Sequence, residues 1–190
     1  MKKSYPIQVI LKGCLKKQSV YQRALVDQYS GMLLVICKRY LNNEELAKDL
    51  VQDSWVKTFK NLEKYNEKIG SFESWISTIC IRLCLSKLSK NKLRIVSIQE
   101  QVEDSEMESY ATDFLDKLET EYLLKMVMEL PDGYREVFNM SAIDGYTHAD
   151  ISEELNISND VCRTRLSRAK KMLRKKIDRL KKQELWVNSI

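Results

Sequence analysis

The chain has 190 residues, a formal net charge of +5 from 32 basic and 27 acidic side chains, and only five glycines and two prolines. So few chain-breakers, beside abundant Leu, Lys, Glu and Ile, predict a mostly helical protein of one or two domains. They exclude a sandwich or barrel, and the glycines lie too far apart for a glycine-rich phosphate loop.

The five cysteines, Cys14, Cys37, Cys80, Cys84 and Cys162, contain no CxxC pair, and His148 is the single histidine. That spacing offers neither a zinc-ligand signature nor a disulfide framework, and no cofactor is expected. The apolar stretch near the N-terminus is interrupted by Gln8 and stops at Lys12, too short for a secretion signal. The longest uncharged run, 28–37, is half of a membrane span. A cytoplasmic, reduced protein without direct membrane insertion is expected.

In chain order, the first block holds three amphipathic segments. Tyr21, Leu25, Tyr29, Met32 or Leu33, Ile36 and Tyr40 recur at steps of three and four. Leu46, Leu50, Trp55, Phe59 and Leu62 form a second stripe; Phe72, Trp75, Ile76, Ile79, Leu83 and Leu88 form a third. Breaks fall at 41–44 and 65–71. On the second helix Asp49, Gln52 and Asp53 make one polar ridge at i, i+3, i+4. The far side and extension of the third helix carry Arg82, Lys87, Lys90, Lys92 and Arg94 near aromatics, a pattern suited to nucleic acid and also to a solvated face.

Residues 97–121 hold nine acids against one base, Lys117. Up to about Thr112 the stretch has little apolar periodicity and reads as a solvated linker. Helical spacing returns through Phe114, Leu118, Leu123 and Val127.

The second block is more specific. Leu130-Pro131 ends a helix, a short helix follows over 134–141, and Gly145 provides a turn. Thr147 with Asp150 matches a capping box, so a helix should start there. Asn156 suits the left-handed residue of a tight turn, and Ser158 can cap the next helix. That helix places Cys162, Leu166, Ala169 and Leu173 on an inward stripe, which makes Cys162 a small buried hydrophobe. This is a helix-turn-helix pattern. Residues 159–182 carry eleven bases and two acids, a density that attracts phosphates. Arg163, Thr164, Ser167 and Arg168 face away from the inward stripe, where arginine can reach guanine edges and the hydroxyls can serve bases or phosphates.

From about Leu15 to Leu180 the chain resembles bacterial RNA polymerase sigma factors of the extracytoplasmic-function (ECF) class. Two stretches carry the resemblance. The first is Asp49-Leu50-Val51-Gln52-Asp53-Ser54-Trp55, continued by Phe72-Glu73-Ser74-Trp75-Ile76. The second runs from Leu130-Pro131 through Arg135, Val137-Phe138, Gly145-Tyr146-Thr147 and Ile151 to Leu155, and ends in Arg163-Thr164-Arg165-Leu166-Ser167-Arg168-Ala169-Lys170.

The resemblance implies an all-α protein of two small helical domains joined by an acidic flexible linker. A region 2 domain would span 1–96, the linker 97–117, a region 4 helix-turn-helix domain 118–183 and a tail 184–190. Asp49, Gln52 and Asp53 would dock on the clamp helices of the polymerase's largest subunit. Asn66, Lys68, Ser71, Phe72, Trp75, Arg82, Ser86 and Lys90 would capture the unpaired minus-10 strand, one base being flipped from the stack. Arg163, Thr164, Arg165, Ser167, Arg168 and Lys171 would read the duplex minus-35 element. The implied partners are core polymerase, through its clamp helices and flap, promoter DNA, and an anti-sigma factor, commonly membrane-bound in this class. The chain departs from the family pattern at Arg82, Ser86, Asn156 and Cys162, where Asn, Asp, Gly and Val are usual; the last two keep their physical roles.

A stand-alone helix-turn-helix regulator binding a palindrome as a dimer is the alternative, but the first block shows neither a polar pocket cluster nor a heptad seam. An enzyme is disfavoured, because the carboxylates pair with no histidine or cysteine in an acid–base or metal constellation.

Overall fold

In a computed structural model of the chain, residues 5–95 and 118–187 are described, with side-chain surroundings for 5–89 and 122–180. The linker 97–117 and the side chain of Lys90 lie outside the described residues. The described residues form helices and turns without strands, in two compact units, Met1–Leu88 and Ser89–Ile190.

The first unit contains α1 (Ile7–Leu15), α2 (Ser19–Leu41), α3 (Glu44–Asn61), a 3-10 turn at Leu62–Lys64, and α4 (Phe72–Ile95), the last of which runs past the unit's boundary. The three expected stripes supply its core: Leu25, Leu33, Tyr40 and Ile76 are fully buried, and Ile36, Leu50, Trp55, Leu62, Phe72 and Leu88 nearly so. Helix α1 is an addition to the sequence expectation. It buries Ile10 and Cys14 and lays Gly13 against Tyr21 so closely that a Cβ there would stand 2.1 Å from the ring. Helix α1 ends in a Schellman turn: Lys17 adopts φ 57°, Gln18 N–H donates to Gly13 O at 3.1 Å, and Lys17 N–H donates to Cys14 O at 2.9 Å. The α2–α3 break is equally local. Asn42 takes φ 48°, and the side chain of Asn43 caps α3 by accepting from Leu46 N–H at 2.9 Å. Trp55 Nε1–H donates to Ser30 Oγ at 3.0 Å and ties α3 to α2.

Packing α4 on α2 brings together three cysteines that the sequence separates. Cys37, Cys80 and Cys84 are each fully buried. The Cys37 and Cys80 sulfurs are 3.3 Å apart, and Cys84 donates to Cys37 at 3.8 Å. The Cys80 thiol is pulled down to about 4, chiefly by its hydrogen bond with Cys37, then by Cys84, with Ser54 and the charge of Arg39 adding to the effect against burial. Cys37 is pushed up first by its hydrogen bond to Cys80, and Cys84 first by its bond to Cys37. Lone Cys14 is raised to about 11 by burial.

The second unit contains α5 (Leu118–Met128), α6 (Asp132–Phe138), a π turn at Asn139–Ile143, α7 (His148–Leu155) and α8 (Asn159–Val187). The expected short helix over 134–141 is thus split: α6 starts at Asp132, just after Pro131, and passes into the wider π turn. Met126, Val127, Leu130, Ala169 and Leu173 form a core cluster edged by Tyr122, Tyr134, Phe138 and Met172. Arg135 is buried. It closes the α5 end by donating to Met128 O at 3.0 Å and Leu130 O at 2.8 Å, and it pairs with Asp132.

The helix-turn-helix follows the sequence reading closely. Gly145 takes φ 76°, the left-handed region that glycine enters without strain. Thr147 and Asp150 form the reciprocal capping box, and those hydrogen bonds hold the Asp150 carboxyl below its usual range. Asn156 closes α7 at φ 51°, with Ile157 N–H donating to Ser152 O at 3.0 Å. Ser158 Oγ accepts from Val161 N–H at 3.2 Å. Helix α8 continues through Val187, so most of the expected 184–190 tail is its end; the last three residues lie outside the described set.

Candidate nucleic-acid interfaces

Three surfaces emerge, two on the first unit and one on the second. On α3, Asp49, Gln52 and Asp53 are all exposed, one turn apart on a common ridge. Val56 continues the same ridge at 50 % exposure. An apolar side chain beside acids gives a protein partner something to desolvate as well as a charge pattern to orient on. Hydropathy spacing did not single out Val56, because a lone exposed valine carries no periodic signal.

The loop before α4 rests on an aromatic cluster. Phe72 meets Tyr29 at 5.4 Å, Tyr65 at 5.5 Å and Trp75 at 5.8 Å between ring centroids, and Tyr65 meets Trp75 at 5.5 Å. Phe72 is 3 % exposed. It therefore acts as the floor of the loop rather than as a face on which a base can stack, a correction to its place in the strand-capturing set. Trp75, half-buried, keeps part of its ring open. Tyr65 and Tyr29 join the cluster through tertiary packing; spacing put Tyr29 on the first stripe but gave no sign that it meets Phe72, and it left Tyr65 in a break.

The loop itself is a run of local bonds. Asn66 Oδ1 accepts from Lys68 N–H at 3.0 Å, Tyr65 Oη–H donates to Gly70 O at 3.1 Å, and Ser71 Oγ caps α4 by accepting from Ser74 N–H at 3.1 Å. Ser71 and Asn66 thus shape the loop. Lys68 is exposed, and at the tip Ile69 is 86 % exposed, an apolar side chain held into solvent. Farther along α4, Arg82 and Ser86 are exposed one turn apart.

On the second unit, the inward stripe of α8 is as expected: Cys162 and Ala169 are fully buried, Leu166 and Leu173 nearly so. Burial pushes the Cys162 thiol up, which suits a packing residue. Beside the stripe, Arg163, Ser167, Lys170, Lys171 and Arg174 line an open groove of about 630 Å³ with His148 at the start of α7. The structure therefore gathers three of the expected minus-35 residues, Arg163, Ser167 and Lys171, and adds Lys170, Arg174 and His148. Two others turn toward α6. The Arg165 guanidinium lies where a Cβ on Gly133 would be only 3.2 Å away, and Arg168 Nη1 donates to Tyr134 Oη at 3.4 Å. Arg165 is half-buried and acts as packing for α6; Arg168 remains exposed at the groove's edge, as does Thr164. A methyl group on Gly133 would press on that guanidinium, which would have to give by a few tenths of an ångström.

Residues 25–94 match the family model described as sigma-70 region 2, and residues 120–173 match that described as sigma-70, region 4. The chain is similar to the ECF RNA polymerase sigma factor SigW of Bacillus subtilis (strain 168), at 26% identity over 163 residues covering 80% of this chain and 87% of that protein. It is similar to the ECF RNA polymerase sigma-E factor of Haemophilus influenzae, at 23% identity over 166 residues covering 82% and 87%. Its fold resembles that of the sigma factor RpoE from Bartonella quintana, solved in complex with the anti-sigma factor NepR, with a TM-score of 0.53, 17% identity and coverage of 82% and 96% of the two chains. With both regions present in order, and such relatives across four fifths of its length, the chain belongs to the sigma-70 family of RNA polymerase sigma factors, in its ECF class.

Proposed function

We propose that this sigma factor docks on core polymerase through the Asp49, Gln52 and Asp53 ridge with Val56 at its side. The 66–71 loop, Trp75, Arg82 and Ser86 then hold the unpaired minus-10 strand over the Tyr29, Tyr65 and Phe72 floor. The α8 groove of Arg163, Ser167 and Lys171, extended by Lys170 and Arg174, reads the minus-35 duplex. The observation that carries this division is chemical. The first unit exposes acids and aromatic rings, which suit a protein docking site and unstacked bases; the second exposes a basic groove on a helix-turn-helix, which suits duplex phosphates and base edges.

Sigma factors of this family direct promoter-specific initiation by the polymerase. The chain supplies no reaction of its own in this reading: it selects the start site, and strand opening is offset by stacking and a basic surface rather than by ATP. The domain limits follow the same division, 1–96 and 118–183, with 97–117 as the acidic joint. A stand-alone regulator is not favoured, because residues 25–94 match region 2, which such a regulator does not need. The relative from Bartonella quintana was solved with an anti-sigma factor; a partner of that kind is expected to cover the polymerase-facing ridge. Among the described residues no helix is long and apolar enough to cross a membrane, in keeping with work beside the polymerase in the cytoplasm.

The test is charge reversal, Asp49→Lys with Asp53→Lys, in the full chain. Core-polymerase affinity should fall about tenfold or more, equal to about 1.4 kcal/mol, while affinity for minus-35 duplex stays at the wild-type level. Wild-type core affinity in the double variant removes the ridge from the docking surface.

A further inference from the structure

The polymerase and promoter surfaces leave the buried thiol trio of α2 and α4 unused. We propose that Cys37, Cys80 and Cys84 form a three-thiolate site for one monovalent copper ion. Their three sulfurs all lie within 4.8 Å of one another and all three residues are shut off from solvent. Three thiolates around one ion at a bond length of about 2.3 Å stand about 4 Å apart by simple trigonal geometry. The 3.3 Å and 3.8 Å separations are already near that spacing.

The donor set selects the ion. Thiolates favour soft metals, copper(I) and zinc foremost. Zinc in closed sites takes four ligands, and among the described residues no histidine, aspartate, glutamate or further cysteine joins these three. The nearby Ser54 hydroxyl is fully buried and donates to Leu50 O at 2.6 Å, and with every ligand at zero exposure no open face is left for a bound water. Copper(I) is content with three sulfurs. Loading forms three copper–sulfur bonds and releases to solvent each proton that the three sulfurs still carry, one for every S–H bond broken; no electron moves. The buried Arg39 guanidinium, close enough to act on Cys80, offsets part of the negative charge that results. The ion would staple α2, at Cys37, to α4, at Cys80 and Cys84.

The test is anaerobic titration of the full-length chain with copper(I) against a chromophoric copper(I) chelator. One equivalent should be withheld from the chelator, X-ray absorption should show sulfur-only coordination, and the thermal midpoint of the first unit should rise on loading. Cys80→Ser and Cys84→Ala should lose the equivalent, and Cys14→Ser with Cys162→Ser should keep it. The absorption spectrum needs only wild-type protein, so a variant that fails to fold does not blunt the test. Failure to withhold copper, oxygen or nitrogen ligands in the spectrum, preferential retention of zinc, or a Cys37–Cys80 disulfide formed in place of metal uptake would each overturn the proposal.

Discussion

In the first unit the candidate DNA surface rests on rings: half-buried Tyr29, Tyr65 and Trp75 around buried Phe72, a connected set with centroids 5.4–5.8 Å apart. In the second it is made of charge: Arg163, Lys170, Lys171 and Arg174 along one groove. The difference follows from the substrates each is proposed to hold. An unpaired base offers a π face, which stacking recognises at about 1–3 kcal/mol per base with little dependence on salt from the ring itself. An intact duplex hides its faces and offers phosphates and groove edges, which cations recognise and counterions oppose. Stability is divided in the same way. Phe72, which shapes the first surface, also belongs to the core, whereas the cations of the second stand on α8 outside its buried stripe.

The largest expected effect is therefore on folding in the first unit. Phe72→Ala removes the shared floor of the ring cluster and should cost about 3–5 kcal/mol, read as an early unfolding transition in urea, with minus-35 duplex affinity unchanged in native buffer. A loss of duplex affinity there would break the separation of roles. Gly13→Ala comes next. Its methyl would meet the Tyr21 ring and also its Cβ at 2.8 Å, so α1 must shift off α2 at a cost of about 1–3 kcal/mol, measured by the same denaturation. Full wild-type stability would mean that Tyr21 simply swings clear. The smallest effect sharpens the second surface. Lys171→Ala should leave stability untouched and reduce the log–log salt slope of duplex binding by about 0.9, one phosphate's worth. An unchanged slope would place Lys171 outside the phosphate path.

Much of the second unit could be read from the sequence because its signals are local. A capping box, a left-handed Asn156 and a Ser158 cap each involve residues within a few positions of one another, and the backbone obeyed all three. The stripe of Cys162, Leu166, Ala169 and Leu173 was legible for the same reason. What escaped was set by tertiary contact. Cys37 and Cys80 are 43 residues apart and meet only when α4 packs on α2. Tyr29 and Tyr65 join Phe72 from separate elements, and that cover leaves Phe72, which its stripe already placed inward, as a floor and not a base-stacking face. Arg165 looked identical in kind to Arg163, yet two residues farther round the helix it lies over Gly133. Helix α1 was missed because a short apolar stretch was weighed only as a targeting signal.

The π turn at Asn139–Ile143 has a geometric consequence for the recognition helix. A π turn takes in one residue more than an α turn. Side chains after it therefore face about 100° away from where an uninterrupted α-helix would carry them. Asp144 N–H and Tyr146 N–H, bonded back to Asn139 O and Met140 O at 2.9 Å each, fix that offset on either side of Gly145, which bends the chain toward the Thr147 cap. The bearing on which α7, and through it α8, leaves the scaffold is thus set by a surplus of one residue in the backbone count. Restoring a regular count there would re-aim the helix-turn-helix without altering a single residue proposed to touch DNA.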